Sequence, residues 1–117
     1  MSKPIINSVY FTKQDEDKPI MTYAVDEHGL AIDMHLQVIG FTLDKHVVTL
    51  QITDQDGREK LAPTDQIIDA SSLKNKKGKG IMDTAFYLVM KPDDLEGVRR
   101  LQFDISFDHQ IHATSYL

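Results

Sequence analysis

Two carboxylates and a glycine stand together in Asp54-Gln55-Asp56-Gly57, the residue types of a calcium loop. In such a loop glycine is sixth, and side-chain oxygens ligate from the first and twelfth positions. With Gly57 sixth, those positions fall on Ile52 and Pro63, which cannot ligate. The segment therefore reads as a tight Asp-Gly hairpin. The five histidines, His28, His35, His46, His109 and His112, form no spaced ligand pair. His109 and His112 are three apart, which puts them on opposite faces of a continuous strand, and zinc needs three or four ligands converging from separate segments. One arrangement stays open. If their strands are neighbours, Asp33 and His35 meet Asp104, Asp108 and His109 in a mixed cluster on one wet sheet face.

Glycoside hydrolysis requires two acids facing one cleft at about 5–10 Å. Asp104 and Asp108, at i and i+4 of one strand, would lie about 13 Å apart. Serine catalysis lacks a Gly-x-Ser-x-Gly elbow, and Ser71, Ser72, Ser106 and Ser115 have no activating pattern nearby. The absence of cysteine removes disulfides, thiolate metal sites and a cysteine nucleophile. A P-loop is excluded too, because Lys74-Asn75-Lys76-Lys77-Gly78-Lys79-Gly80 has no Gly-Lys-Ser/Thr. That segment places Lys74, Lys76, Lys77 and Lys79 in a basic spot suited to a phosphate or an acidic partner. The rest of the chain is acidic. Residues 1–58 hold five basic and nine acidic side chains and residues 59–117 eight and nine, so −4 and −1 sum to the net charge of −5. Such a balance argues against dedicated nucleic-acid binding.

Positioning these residues falls to strands, because the hydrophobic period is two almost throughout. Leu30, Ile32, Met34, Leu36 and Val38 alternate with Ala31, Asp33, His35, Gln37 and Ile39. Val48, Leu50 and Ile52 alternate with Thr49, Gln51 and Thr53, and Leu101, Phe103, Ile105 and Phe107 with Gln102, Asp104, Ser106 and Asp108. This pattern marks strands with one face in a core and one face wet. Further strands are expected over Ile5–Thr12, Ile20–Val25, Glu59–Ala62, Gln66–Ala70, Ile81–Met90 and Ile111–Tyr116. The last six residues of Ile81–Met90 are apolar on both faces, which predicts a central strand covered on both sides. Asp93-Asp94-Leu95-Glu96-Gly97 predicts one helical turn, with Asp93 as cap, Glu96 closing a capping box and Gly97 stopping it. The tyrosines, Tyr10, Tyr23, Tyr87 and Tyr116, all fall on expected strands, where an exposed aromatic row would anchor a partner.

With 117 residues, 41% apolar and 26% charged, the chain suffices for one core and one domain, residues 1–117. Roughly seven to nine short strands predict an all-β, antiparallel sandwich of immunoglobulin-like architecture, with a small barrel as the rival. The cysteine pair and core tryptophan of true immunoglobulin domains are missing. No apolar run is long enough for a secretory signal or a membrane span, which predicts a cytoplasmic chain, or a virion component if the source is a phage.

The order of features carries a resemblance. An Asp-Gly turn closes the run Val47–Gly57, Tyr87–Gly97 ends in a short helix and a glycine, and Leu101–Ile105 and Ile111–Leu117 follow, with Thr114 near the end. This resembles the N-terminal sandwich of baseplate upper proteins from phages of Gram-positive bacteria. The resemblance implies a structural or assembly role in a virion or prophage product and transfers no functional residue. The expected function is a non-catalytic binding or assembly module with no cofactor, acting through a protein partner or self-association. Its contact surface would use the lysine loop or the polar face of Asp33, His35, Asp104 and Asp108. A small-ligand or divalent-ion binder is the alternative, and a weak hydrolase comes third.

Overall fold

A computed structural model describes residues 3–14, 16, 27–71 and 80–117. Seven strands follow in order: β1 Ile5–Lys13, β2 Leu30–Phe41, β3 Lys45–Asp54, β4 Glu59–Asp69, β5 Gly80–Met90, β6 Leu101–Phe107 and β7 Ile111–Tyr116. They form two antiparallel sheets, β1-β2-β5 and β4-β3-β6-β7. The protein is an all-β sandwich. The expected strand at Ile20–Val25 and the lysines of residues 74–79 lie outside the described residues.

The alternating rows explain the layers. Ile32, Met34, Leu36 and Val38 of β2 face Leu50 and Ile52 of β3 and Leu101, Phe103 and Ile105 of β6 in one core. Phe11 and Phe103 tie the sheets together, their ring centres 4.5 Å apart at 47°, within the range favoured for tilted aromatic pairs. Gly29 opens β2 at φ +85°, and a Cβ there would sit 2.1 Å from the Met90 carbonyl oxygen. No other residue fits where β2 meets the end of β5.

Three local expectations change. Glu59–Ala62 and Gln66–Ala70 belong to one eleven-residue strand, β4. Its register against β3 slips between Leu50↔Thr64 and Ile52↔Leu61. That irregularity accommodates Pro63, which has no N–H to give and is tolerated on an edge strand at a bulge. Second, β5 is an edge strand and β2 is central. The apolar residues on the outer face of β5 are exposed: Ile81 by 71%, Tyr87 by 54% and Val89 by 57%. Third, the helical turn is a 3-10 turn over Pro92–Leu95. The Lys91 N–H donates to the Asp94 carboxylate at 3.4 Å, in place of a cap by Asp93, and Gly97 ends the segment at φ +74°.

Candidate functional site

The outer face of the three-stranded sheet gathers aromatic, apolar and polar side chains in cross-strand rows. Tyr10, His35 and Ala85 are register partners across β1, β2 and β5, as are Ile5, Ile39 and Ile81. The Tyr10 and His35 rings stack with centres 4.5 Å apart and planes 3° from parallel. His35 Nε2 lies 2.8 Å from the Thr12 hydroxyl, hydrogen-bonded to it. The Asn7 amide donates to the Gln37 side chain, and the Tyr87 hydroxyl donates to Gln14 Oε1 at 3.2 Å. A hydroxyl beside an imidazole is the pairing of a nucleophile with its base. Here Thr12 is fully buried, so no substrate reaches it.

Asp33 and His35 stand on this face, whereas Asp104 stands on the outer face of the other sheet. There it accepts hydrogen bonds from Gln102 Nε2 at 3.1 and 3.0 Å and from the Thr114 hydroxyl at 2.9 Å. The mixed cluster expected if their strands were neighbours does not form, because β2 and β6 belong to different sheets. Asp108 shares neither face. It has left the strand for the β6–β7 turn, at φ 54°, with His109 following at φ 55°. Among the described residues, no group of three or more His, Asp or Glu side chains could hold a metal ion.

Asp108 instead reaches the core end of β3. The His46 Nδ1–H donates to Asp108 Oδ2 at 2.5 Å, the Val47 N–H donates to Asp108 Oδ1 at 2.9 Å, and the His46 Nε2–H donates to the Thr42 carbonyl at 2.6 Å. Both ring nitrogens thus face acceptors, an arrangement that favours the doubly protonated imidazolium. The ring stacks on Phe107 at 4.9 Å and meets Phe41 edge-on at 5.5 Å. Burial opposes the charge, but the hydrogen bonds to Asp108 and Thr42, with the charges of Asp108 and Asp44, outweigh it. The His46 pKa is raised above its ordinary 6.5.

At the other end of β3, Asp54 Oδ1 accepts the N–H groups of Asp56 and Arg58, both at 2.9 Å, closing the turn that Gly57 passes at φ +77°. Burial works against this carboxylate too. The Arg58 and Asp56 N–H groups, with the charges of Lys60 and Arg58, outweigh it and hold its pKa below the ordinary 3.8. Gln55 then bridges the turn to the crossover before β6, donating to the Gly97 carbonyl at 2.9 Å and accepting the Arg99 N–H at 3.0 Å. Sequence reasoning missed the role of His46. The signal was present: the core row Val48, Leu50, Ile52 extends by one step each way to His46 and Asp54, polar groups in an apolar row.

Between the β4 and β5 edges of the described sheets the sandwich opens into a cleft of about 540 Å³. Leu61 and Ile68 of β4 and Phe86 and Leu88 of β5 line it over Val48 and Leu50, with Thr64, Gln66 and Thr84 among its polar members. No family model matches this chain, and no curated protein matches it.

Proposed function

We infer that the protein is a non-catalytic binding or assembly module that works through its three-stranded sheet. The observation that carries this reading is β5, an edge strand whose outer row leaves Ile81, Tyr87 and Val89 more than half exposed. Among the described residues no strand pairs with this edge, which offers backbone donors and acceptors for strand addition, and an apolar row beside it supplies the burial that holds a partner. The strand order supports an immunoglobulin-like description. Lettered A to G in chain order, the sheets are ABE and DCFG, the immunoglobulin order with the fourth strand moved to the opposite sheet. A structural part in a virion or prophage product, the role the baseplate resemblance implies, is the narrower form of this proposal.

Light scattering and affinity capture, with wild type beside an Ile81→Asp/Val89→Asp variant, test it. The module reading expects a discrete oligomer or a captured protein that the variant loses. A monomer that captures nothing, or captures equally well after the substitutions, overturns it. The cleft between β4 and β5 favours a second reading, a small apolar ligand, since its volume falls in the usual range for such sites. Enlarging a side chain that lines it from β4, as in Thr64→Trp, separates the two: it abolishes ligand-induced thermal stabilisation and leaves sheet-mediated association intact.

A further inference from the structure

We propose that the occupant of the β5 edge is a second copy of this chain, paired antiparallel about a twofold axis through Ala85. The proposal rests on the module reading above and names its partner. Natural sandwiches block their edges with proline, charge, bulges or short strands, and three of the four sheet edges among the described residues do so. β1 carries a register shift at Asn7, β4 carries Pro63 with an irregular register and several charged residues, and β7 is only six residues long. β5 carries one such device, the charge of Asp83, and the irregularity in its pairing with β2 lies at Gly40 of β2. It runs eleven residues without proline and with Asp83 as its single charged residue.

The sequence of β5 is complementary to itself. Its midpoint is Ala85, so antiparallel pairing about that residue matches the full length, Gly80 against Met90. On the outer face Ile81 then lies opposite the other copy's Val89, Asp83 opposite Tyr87, and Ala85 opposite Ala85. On the inner face Met82 meets Leu88 and Thr84 meets Phe86. No carboxylate faces another, and the two most exposed aliphatic side chains of the strand cover each other. Such cross-strand apolar pairs are the stabilising unit of a sheet.

The size is sufficient. Eleven residues span about 37 Å, and two layers with their outer side chains are roughly 20 Å deep, so the strip covers about 1,500 Å² over both copies, within the range of stable interfaces. The same axis turns the clefts between β4 and β5 towards each other, shielding Leu61, Ile68, Phe86 and Leu88.

Because the chain has no cysteine, single cysteine variants read the register directly. Wild type is expected at twice the monomer mass by light scattering, and Ala85→Cys is expected to cross-link to a dimer on mild oxidation. Ile81→Cys alone should not cross-link, since the two copies of residue 81 would lie about 27 Å apart, beyond disulfide reach. A mixture of Ile81→Cys and Val89→Cys should cross-link. Tyr87→Glu, which sets a carboxylate against Asp83, should give a monomer, and Tyr87→Lys should keep the dimer. A monomer at all concentrations, or Ile81→Cys cross-linking as fast as Ala85→Cys, overturns the proposal. A monomer that still captures another protein through Ile81 and Val89 sinks self-pairing and leaves the module reading standing, whereas a monomer that captures nothing ends both.

Discussion

His46 and Asp108, 62 residues apart in the chain, form a 2.5 Å contact that joins the start of β3 to the β6–β7 turn. The carboxylate also holds the Val47 N–H, and the second imidazole nitrogen holds the Thr42 carbonyl. One imidazole ring therefore links the β2–β3 connection, β3 and the final hairpin.

This link makes stability depend on pH. The folded pKa of His46 lies above its ordinary 6.5, so the fold binds this proton more tightly than the unfolded chain does. The contribution is complete below about pH 6.5 and is lost as pH rises through the raised value. Urea midpoints measured from pH 6 to 9 should fall towards the alkaline end. In His46→Gln the part of that fall due to this proton should vanish. His46→Ala, which also leaves the Thr42 carbonyl without its donor, should cost about 2–3 kcal/mol.

Asp54 acts in the opposite direction. Its pKa is lowered, so its contribution is present above about pH 4 and disappears as pH falls through the folded value. Asp54→Asn retains an oxygen for the Asp56 and Arg58 N–H groups but cannot titrate. Acid unfolding followed by circular dichroism should show a shallower slope in Asp54→Asn than in wild type, with Asp54→Ala destabilised at every pH.

His109 occupies the left-handed region at φ 55°, which Asp, Asn and His tolerate and β-branched residues do not. His109→Val should lower stability by about 1–2 kcal/mol, and His109→Gly should be neutral or stabilising. Equal denaturation midpoints for the two variants would contradict the turn geometry.

Gln55 satisfies both Gly97 and Arg99 with a single amide. Gln55→Ala should therefore cost about 1 kcal/mol. Gln55→Glu should recover only the Arg99 half, because a carboxylate cannot donate to the Gly97 carbonyl. Hydrogen exchange at the Arg99 N–H should accelerate in Gln55→Ala and stay near wild type in Gln55→Glu.

Local patterning revealed much of this architecture. The row Leu30 to Val38 alternates cleanly because β2 has one face in the core and one in solvent, and the same reasoning located β3 and β6. It misplaced β5, since an apolar outer row looks identical whether a second layer or solvent covers it. Only the exposure of Ile81, Tyr87 and Val89 tells the two apart. The separation of His35 from Asp104 depends on which strands share a sheet, a long-range fact that no window of sequence contains. Asp108 seemed to continue the β6 alternation, but Phe107 ends the strand and a positive φ turns the carboxylate towards His46.

The edge inventory of the sandwich also fixes how far association can proceed. A unit with two open edges adds neighbours on both sides and grows into a filament. With β1, β4 and β7 each blocked among the described strands, the pairing proposed for β5 would have a valency of one. The strand that joins two copies would be consumed by the joining, and assembly through it would stop at two.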